Sequence, residues 1–175
     1  MKVTLLVPVW NEIDGMRKIM PLVKPEWYDQ ILFLDGGSID GTIEYAKEHG
    51  YEVYVQKKPG FRNGYTEIWP LVKGDIVVTF SPDGNSLPEA IPALVAKMRE
   101  GYDMVIASRY LGSAKSDDDD LMTGFGNWLF TKIINVLHGG RYTDSMVILR
   151  AYRANLAKEL ELDKDDGFIL AERLF

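Results

Sequence analysis

Alternating strands and helices over the first 110 residues constrain the fold of this chain more than any other feature. Helical patterns separate five short apolar runs of strand type, which span residues 3–7, 31–34, 51–55, 75–80 and 104–107. The resulting β-α-β-α-β-α-β-α-β order favours a parallel sheet that is covered by helices on both faces. We therefore predict an α/β fold with a mostly parallel central sheet.

Polar residues follow all but one of these strands, at residues 10–12, 35–38, 81–83 and 108–109. Right-handed crossovers bring the carboxyl ends of parallel strands to one edge of a sheet, where ligands bind in such folds. We therefore expect one shared site at this edge. Pro82 should end the strand before it, and the oxygen-bearing side chains of Asp83 and Asn85 follow. An ordinary surface turn is the alternative, because Pro-Asp-Gly-Asn is also good turn chemistry.

Composition excludes several classes of protein. The chain has 175 residues, no cysteine and a net charge of −6. This length suits about one domain, and the missing cysteines exclude disulfides and thiolate metal sites. The negative charge argues against a general nucleic-acid binder. Because neither a signal peptide nor a membrane-spanning run is visible, we expect a cytoplasmic protein.

The pattern changes after Leu111. Residues 112–120 form a polar loop with four aspartates at 117–120, which we interpret as a solvated loop or an acceptor lid. Residues 121–137 carry apolar side chains at helical spacing, and we expect that face to pack in the core. The alternative is that it rests on a membrane surface. We further predict a strand at 146–149 and helices at 154–162 and 168–174.

Six short motifs follow in a recognisable order. They are Leu-Val-Pro-Val-Trp-Asn-Glu at 6–12, Leu-Asp-Gly-Gly-Ser-Ile-Asp-Gly-Thr at 34–42, Gly-Phe-Arg-Asn at 60–63, Phe-Ser-Pro-Asp-Gly-Asn-Ser-Leu-Pro-Glu at 80–89, Ala-Ser-Arg-Tyr at 107–110 and Arg-Ala-Tyr-Arg at 150–153. Together they resemble the family-two glycosyltransferases of GT-A fold, and among them the dolichol- or polyprenyl-phosphate sugar synthases. The chain departs from that pattern at Gly36 and Ser81, where the family has aspartates, and at Val147 and Ile148, where it has Ser-Gly.

The resemblance covers nearly the whole chain. It implies a single GT-A domain over residues 1–175, with a nucleotide-sugar-binding half at 1–110 and an acceptor-side half at 111–175. Because members of the family usually continue further, we expect the domain to be truncated at its C-terminal end.

The resemblance also implies a metal-dependent donor site. Asp83 and Asn85 are the implied ligands of Mg²⁺ or Mn²⁺, which take few protein oxygens and complete their shell with phosphates and water. Because Ser81 lacks a carboxylate, we expect weak metal binding without nucleotide. The implied donor-binding residues are Pro8, Trp10, Glu12, Asp35, Gly37, Arg62 and Asp83. Structural alternatives remain open for three of them: a turn-capping Asp35, a core Trp10 and a solvated Arg62.

The acceptor side is suggested by three arginines, Arg109, Arg150 and Arg153. A lipid phosphate is already ionised and needs only orientation and charge balance, whereas a hydroxyl acceptor requires a general base. The clearest late carboxylates are Asp144 and Glu172, and the candidate catalytic residues are Asp83, Arg109 and Glu172.

We therefore expect transfer of a sugar from a nucleoside diphosphate to a polyprenyl- or dolichyl-phosphate-type lipid, in cell envelope glycan biosynthesis. Residues 121–137 would then provide a peripheral membrane contact. Two alternatives remain open. One is transfer to a glycan or small-molecule hydroxyl. The other is a sugar-nucleotide-binding domain with impaired catalysis, which the departures at Ser81, Val147 and Ile148 favour.

Overall fold

The computed structural model describes residues 1–110 and 121–159, which are built around a six-stranded sheet. The strands are β1 (Val3–Val9), β2 (Gln30–Asp35), β3 (Glu52–Val55), β4 (Ile76–Thr79), β5 (Met104–Ile106) and β6 (Arg150–Arg153). Their order across the sheet is β3-β2-β1-β4-β6-β5. Strands β1 to β4 pair in parallel, whereas β6 runs antiparallel to both β4 and β5. The predicted α/β fold with a mostly parallel sheet is confirmed.

Within the described residues, six helices connect or flank the strands: α1 (Ile13–Ile19), α2 (Thr42–Glu48), α3 (Phe61–Ile68), α4 (Ile91–Arg99), α5 (Leu121–His138) and α6 (Leu156–Glu159). Short 3₁₀ turns at Met20–Leu22, Pro25–Trp27, Trp69–Leu71 and Pro88–Ala90 accompany them. Each of these turns has a proline in its first two positions, where a missing N–H costs no helical hydrogen bond. Helix α4 tolerates Pro92 in the same way, because it begins at Ile91.

The central strands are buried on both faces. One face carries side chains such as Leu5, Phe33 and Val78, which pack with Met16 of α1 and Ile91 of α4. The other carries a smaller cluster, which comprises Leu6, Leu32, Leu34, Val77 and Ile68 of α3. The predicted covering of the sheet by helices on both faces is therefore confirmed.

Strand β6 is the first departure from prediction. The expected strand at 146–149 is wrong, because pairing begins only at Arg150. Val147 and Leu149 are instead buried in the core as parts of the preceding loop. Since β6 inserts between β4 and β5, the fifth strand does not border the fourth.

Helix α5 is the second departure, because its apolar face does not pack in the core. The described side chains of that face are exposed, with 61% for Phe125, 55% for Trp128 and 82% for Val136. Among the side chains described for residues 124–138, the buried ones are polar: Asn127 and Thr131. Hydrogen bonds rather than apolar packing therefore hold the inner side of this helix.

Three expectations lie outside the described residues: the loop at 112–120, the helix at 168–174 and the candidate catalytic residue Glu172. Within residues 1–110 and 121–159, the structure contains no helix whose length and apolar character would allow it to cross a bilayer.

Candidate functional site

The loops that follow β1, β2 and β4 lie side by side at one edge of the sheet. Val9 pairs with Asp35 at the ends of β1 and β2, and Leu6 pairs with Thr79 at the end of β4. The Gly36 N–H donates to the Val9 carbonyl oxygen over 2.9 Å, which continues the pairing beyond the strands. Residues 10–12, 35–38 and 81–83 thus share the edge expected from the sequence.

Four hydrogen bonds attach the loop after β1 to the loop after β2. The bonded pairs are Asn11 N with Ser38 Oγ (2.8 Å), Ile39 N with Asn11 Oδ1 (2.9 Å), Glu12 N with Thr42 Oγ1 (2.9 Å) and Ile13 N with Asp40 Oδ2 (3.0 Å). Asn11 has a φ of 52°, a left-handed conformation that asparagine tolerates better than most residues. Sequence reasoning missed this polar connection, although Ser38, Asp40 and Thr42 of the motif at 34–42 supply three of its four acceptors.

Asp35 is fully buried and organises its own loop. Its Oδ1 accepts hydrogen bonds from the N–H groups of Gly37 and Ser38, each over 2.7 Å, and its Oδ2 accepts from the Ser38 hydroxyl over 2.6 Å. A carboxylate with three donors is well satisfied without a ligand. The turn-capping alternative for Asp35 therefore describes this structure, and any contact with a nucleotide would be additional.

Trp10 lies on the surface of this edge, with 70% of its area exposed. The core alternative for Trp10 is wrong. Its indole ring rests against Gly36, where an added Cβ would lie only 3.2 Å from Cγ of the ring. Glycine at position 36, in place of the family's aspartate, therefore leaves room for the tryptophan. Pro8, next to the last residue of β1, is half-buried, and Gly37 is exposed with a φ of 96°.

Asp83 and Asn85 form an exposed turn after β4. The Asn85 N–H donates to Asp83 Oδ1 over 2.9 Å, and Gly84 between them has a φ of 85°. Ser81 is buried, with 7% exposure, so the position of the family's first aspartate faces inward. The surface-turn interpretation thus describes the local backbone.

The donor atoms of this turn suit a hard divalent cation. Asp83 Oδ2 has no partner among the described residues, and Asn85 offers an amide oxygen beside it. One carboxylate and one amide match the small share of protein ligands that Mg²⁺ or Mn²⁺ takes when phosphates and water complete the shell. Within the described ranges, no group of three or more acidic or histidine side chains is arranged so that it could hold a metal ion. The residues therefore fit a cation that arrives with a diphosphate.

Glu12 brings a second carboxyl group near this turn. Burial raises the pKa of the Glu12 carboxyl, and the negative charges of Asp83, Asp40 and Asp14 raise it further. A bound cation or a hydrogen-bond donor would relieve this repulsion.

Two of the three arginines predicted for the acceptor lie toward this edge. Arg150 pairs with Thr79 at the site end of β4, and its Nε donates to the Val147 carbonyl oxygen over 3.1 Å. Arg109 follows β5, and its Nε donates to Asp144 Oδ2 over 2.8 Å. Arg62, the arginine expected at the diphosphate, lies half-buried in the first turn of α3.

Asp144 is the hub that holds Arg109. Its side chain has no exposed area. It accepts five hydrogen bonds, from Arg109 N, Nε and Nη2, Asn127 Nδ2 and Met146 N. Burial alone would raise the pKa of the Asp144 carboxyl, but the hydrogen bonds from Arg109 and Asn127 outweigh it and hold that pKa below its usual range. Sequence reasoning noted Asp144 only as a late carboxylate.

Arg153 does not join the other two arginines. It pairs with Ile76, at the opposite end of β4 from the site. Its guanidinium forms ion pairs with Asp103 (2.7 Å) and Glu159 (2.9 Å). The three arginines predicted to form one anion-binding pocket are therefore not all brought together, and we leave Arg153 out of the acceptor site.

The fold of the described residues is of the GT-A class. The structure superposes on glucosyl-3-phosphoglycerate synthase of Mycobacterium tuberculosis, solved with Mn²⁺, UDP-glucose and phosphoglyceric acid, with a TM-score of 0.71. At 20% sequence identity, covering 89% of this chain and 57% of the other, the likeness concerns the fold.

Sequence comparison identifies the family. Residues 4–161 match the profile of Glycosyl transferase family 2, and the chain belongs to that family. It is 28% identical over 170 residues to glycosyltransferase AglJ of Haloferax volcanii, covering 95% of this chain and 54% of the relative. It is 27% identical over 175 residues to undecaprenyl-phosphate mannosyltransferase of Micrococcus luteus, covering 93% of this chain and 71% of that one. The chain thus spans about half to two thirds of the length of the proteins it matches.

Proposed function

We propose that this protein transfers a sugar from a nucleoside diphosphate to a lipid phosphate of polyprenyl or dolichyl type, with Mg²⁺ or Mn²⁺ as cofactor. One observation carries the proposal. The exposed turn with Asp83 and Asn85 meets the loops after β1 and β2 at the edge of the sheet, while Asp144, the described carboxylate nearest Arg109, is fully occupied by hydrogen bonds. We assign residues 1–110 to the donor half and 111–175 to the acceptor half.

The donor half supplies a surface for the nucleotide and a site for its diphosphate. Trp10 and Gly37 present exposed surface beside the loop that Asp35 shapes, and Glu12 and Pro8 line the same edge. A cation held by Asp83 and Asn85 would neutralise charge on the departing nucleoside diphosphate. A structural neighbour bound to Mn²⁺ and UDP-glucose supports this arrangement.

The acceptor half favours a phosphate over a hydroxyl. A hydroxyl acceptor requires a general base that can take a proton, whereas Asp144 already receives five N–H donors and has a lowered pKa. A phosphate needs positive charge and orientation, which Arg109 and Arg150 can provide. A relative named for undecaprenyl phosphate supports the same acceptor class.

Helix α5 provides an apolar surface that could contact the membrane in which a lipid acceptor lies. Its outward face carries Phe125 stacked on Trp128, with ring centroids 5.8 Å apart, followed by Ile133 and Val136. The helix contains no acidic residue and one lysine, Lys132. Its polar inner side reaches Asp144 through Asn127, over 2.9 Å. An apolar helix face of this kind suits a membrane surface, and we place the protein at the cytoplasmic face of a membrane.

Product analysis tests the acceptor class. Purified protein is incubated with UDP- or GDP-sugars, Mn²⁺ and either a polyprenyl phosphate or the corresponding polyprenol. We expect glycosyl transfer to the phosphate only. Transfer to the alcohol alone would refute the acceptor assignment. If the protein binds the donor but neither transfers the sugar nor slowly hydrolyses the sugar nucleotide, it is a donor-binding module instead.

Kinetics separate the acceptor arginine from ordinary ion-paired arginines. Arg109→Lys should raise the KM for the lipid phosphate more than the KM for the donor. Arg153→Lys is the matched control, because that arginine is also ion-paired but lies at the far end of its strand. Equal effects of Arg109→Lys on both KM values would defeat the assignment.

Vesicle flotation tests the membrane contact. The protein should float with lipid vesicles, and Trp128→Ser should weaken this association. Tyr102→Ser is the control, because Tyr102 is similarly exposed but lies just before β5. If both variants float as the unmodified protein does, α5 is not the contact.

A further inference from the structure

Gly15 occupies an unexpected position in helix α1. Glycine is a poor helix former, yet here it stands in the middle of a seven-residue helix between Asp14 and the fully buried Met16. Its φ is not in the left-handed region, so backbone freedom does not explain it. The explanation must lie in the space that a side chain would fill.

That space belongs to the loop after β4. A Cβ atom at Gly15 would lie 2.1 Å from the Pro82 carbonyl oxygen and 3.0 Å from the Pro82 carbonyl carbon. It would also lie 2.7 Å from Glu12 Oε1, but a flexible side chain can move away from such a contact. The Pro82 carbonyl is main chain, and it belongs to the peptide group that leads directly into Asp83.

The turn beyond this contact is locally fixed. Asp83 Oδ1 holds the Asn85 N–H, and Pro82 itself is buried. A displacement of the Pro82 carbonyl would therefore carry the Asp83 carboxylate with it. At Gly64 of α3 the nearest atoms to an added Cβ belong to side chains, and at Gly126 of α5 an added Cβ would find nothing within 4 Å.

We propose that Gly15 is a positioning residue, whose missing side chain lets the peptide before Asp83 rest on helix α1 and so sets the place of the Asp83 carboxylate. Because it ties Gly15 to donor binding through Asp83, the proposal rests on the function proposed above. The contact joins helix α1, which follows the loop that carries Trp10 and Glu12, to the loop after β4.

Titration calorimetry with UDP and with GDP, each with and without Mn²⁺, tests the role in binding. In Gly15→Ala, affinity without metal should stay within about 2-fold, while the gain in affinity that Mn²⁺ confers should fall by roughly 10-fold, because only the Asp83 turn moves. Gly126→Ala should leave both affinities unchanged. A general structural defect would lower both affinities of Gly15→Ala alike, and that result, or an undiminished gain from Mn²⁺, would overturn the proposal.

A crystal structure of Gly15→Ala separates this inference from the proposed function. The Pro82 carbonyl should lie roughly 1 Å or more farther from helix α1, the movement needed to relieve the overlap. If the unmodified protein binds neither nucleotide with Mn²⁺, the donor function fails, but this displacement still decides whether Gly15 sets the turn. An unmoved Pro82 and Asp83 in the variant would refute the positioning role.

Discussion

Replacement of Asp144 by asparagine should destabilise the protein strongly. The carboxylate has no exposed area and accepts hydrogen bonds from Arg109, Asn127 and the Met146 N–H. An asparagine would present its own NH₂ group to at least one of these donors and would remove the negative charge that pairs with Arg109. Breaking a buried ion pair costs about 3–5 kcal/mol. Because the Arg109 side chain retains 22% exposure, we expect the lower end, about 3 kcal/mol.

Urea and thermal denaturation measure this cost. For a domain of this size, about 3 kcal/mol corresponds to a fall in Tm of roughly 6–12 °C. Asp103→Asn is the matched control, since Asp103 also pairs with an arginine but its side chain is 68% exposed. An exposed pair of that kind contributes about 0–1 kcal/mol. Equal losses in the two variants would refute the hub interpretation of Asp144.

The pH dependence gives an independent check on Asp144. Its folded-state pKa is lowered, so its contribution is fully present above the unfolded-state pKa of about 4 and is lost as the pH falls through the folded-state pKa. The difference in stability between wild type and Asp144→Asn should therefore stay constant between pH 8 and pH 5. It should narrow only below about pH 4. Narrowing between pH 8 and pH 6 would point to another group.

Three further predictions concern α5 and the donor edge. Val136→Ser should change the free energy of unfolding by less than about 0.5 kcal/mol, whereas Asn127→Ala should lower it by about 1–3 kcal/mol. Urea denaturation measures both values, and the reverse order would contradict the orientation of α5. Glu12→Gln should raise Tm at pH 7 without ligand. Burial and the charge of Asp83 raise the pKa of Glu12, so its ionised form destabilises the fold at pH 7, and glutamine removes that charge. Thermal melts should show this gain in Tm vanish as the pH falls below about 4.3. Asp83→Asn should weaken Mn²⁺-dependent nucleotide binding by roughly 10-fold in calorimetry, against an unchanged metal-free affinity.

The sequence predicted the strands that are buried on both faces. It missed strand β6, whose position depends on pairing with distant strands. Strands β1, β2 and β4 are continuous apolar runs, so their positions and parallel pairing follow from composition and connection. Strand β6 has the sequence Arg-Ala-Tyr-Arg with only Ala151 fully buried, so neither an apolar run nor a clear alternation marks it. Its place between β4 and β5 depends on a long-range pairing that no local pattern encodes.

Helix α5 shows why amphipathicity alone cannot decide which face is buried. Its apolar periodicity was recognised, and the usual assignment of that face to the core was wrong. Asn127 and Thr131 face inward because Asp144, 17 residues beyond Asn127, offers a buried acceptor there, with Ser145 bonded to Thr131 over 2.9 Å. A buried polar network of this kind becomes visible only when its partners are known.

In the candidate site, too, the sequence predicted the residue types but not all of their spatial arrangement. The sequence located the oxygen-bearing turn and the loops after β1 and β2 at one edge of the sheet, because each follows a predictable strand end. It could not group the arginines correctly, because grouping depends on register. Arg150 and Arg153 lie three positions apart on an extended strand, which separates their Cα atoms by roughly 10 Å and places them toward opposite ends of β6. Only Arg150 lies toward the donor edge, so an acceptor phosphate held there would depend on Arg150 and on Arg109 as fixed by Asp144, and not on Arg153.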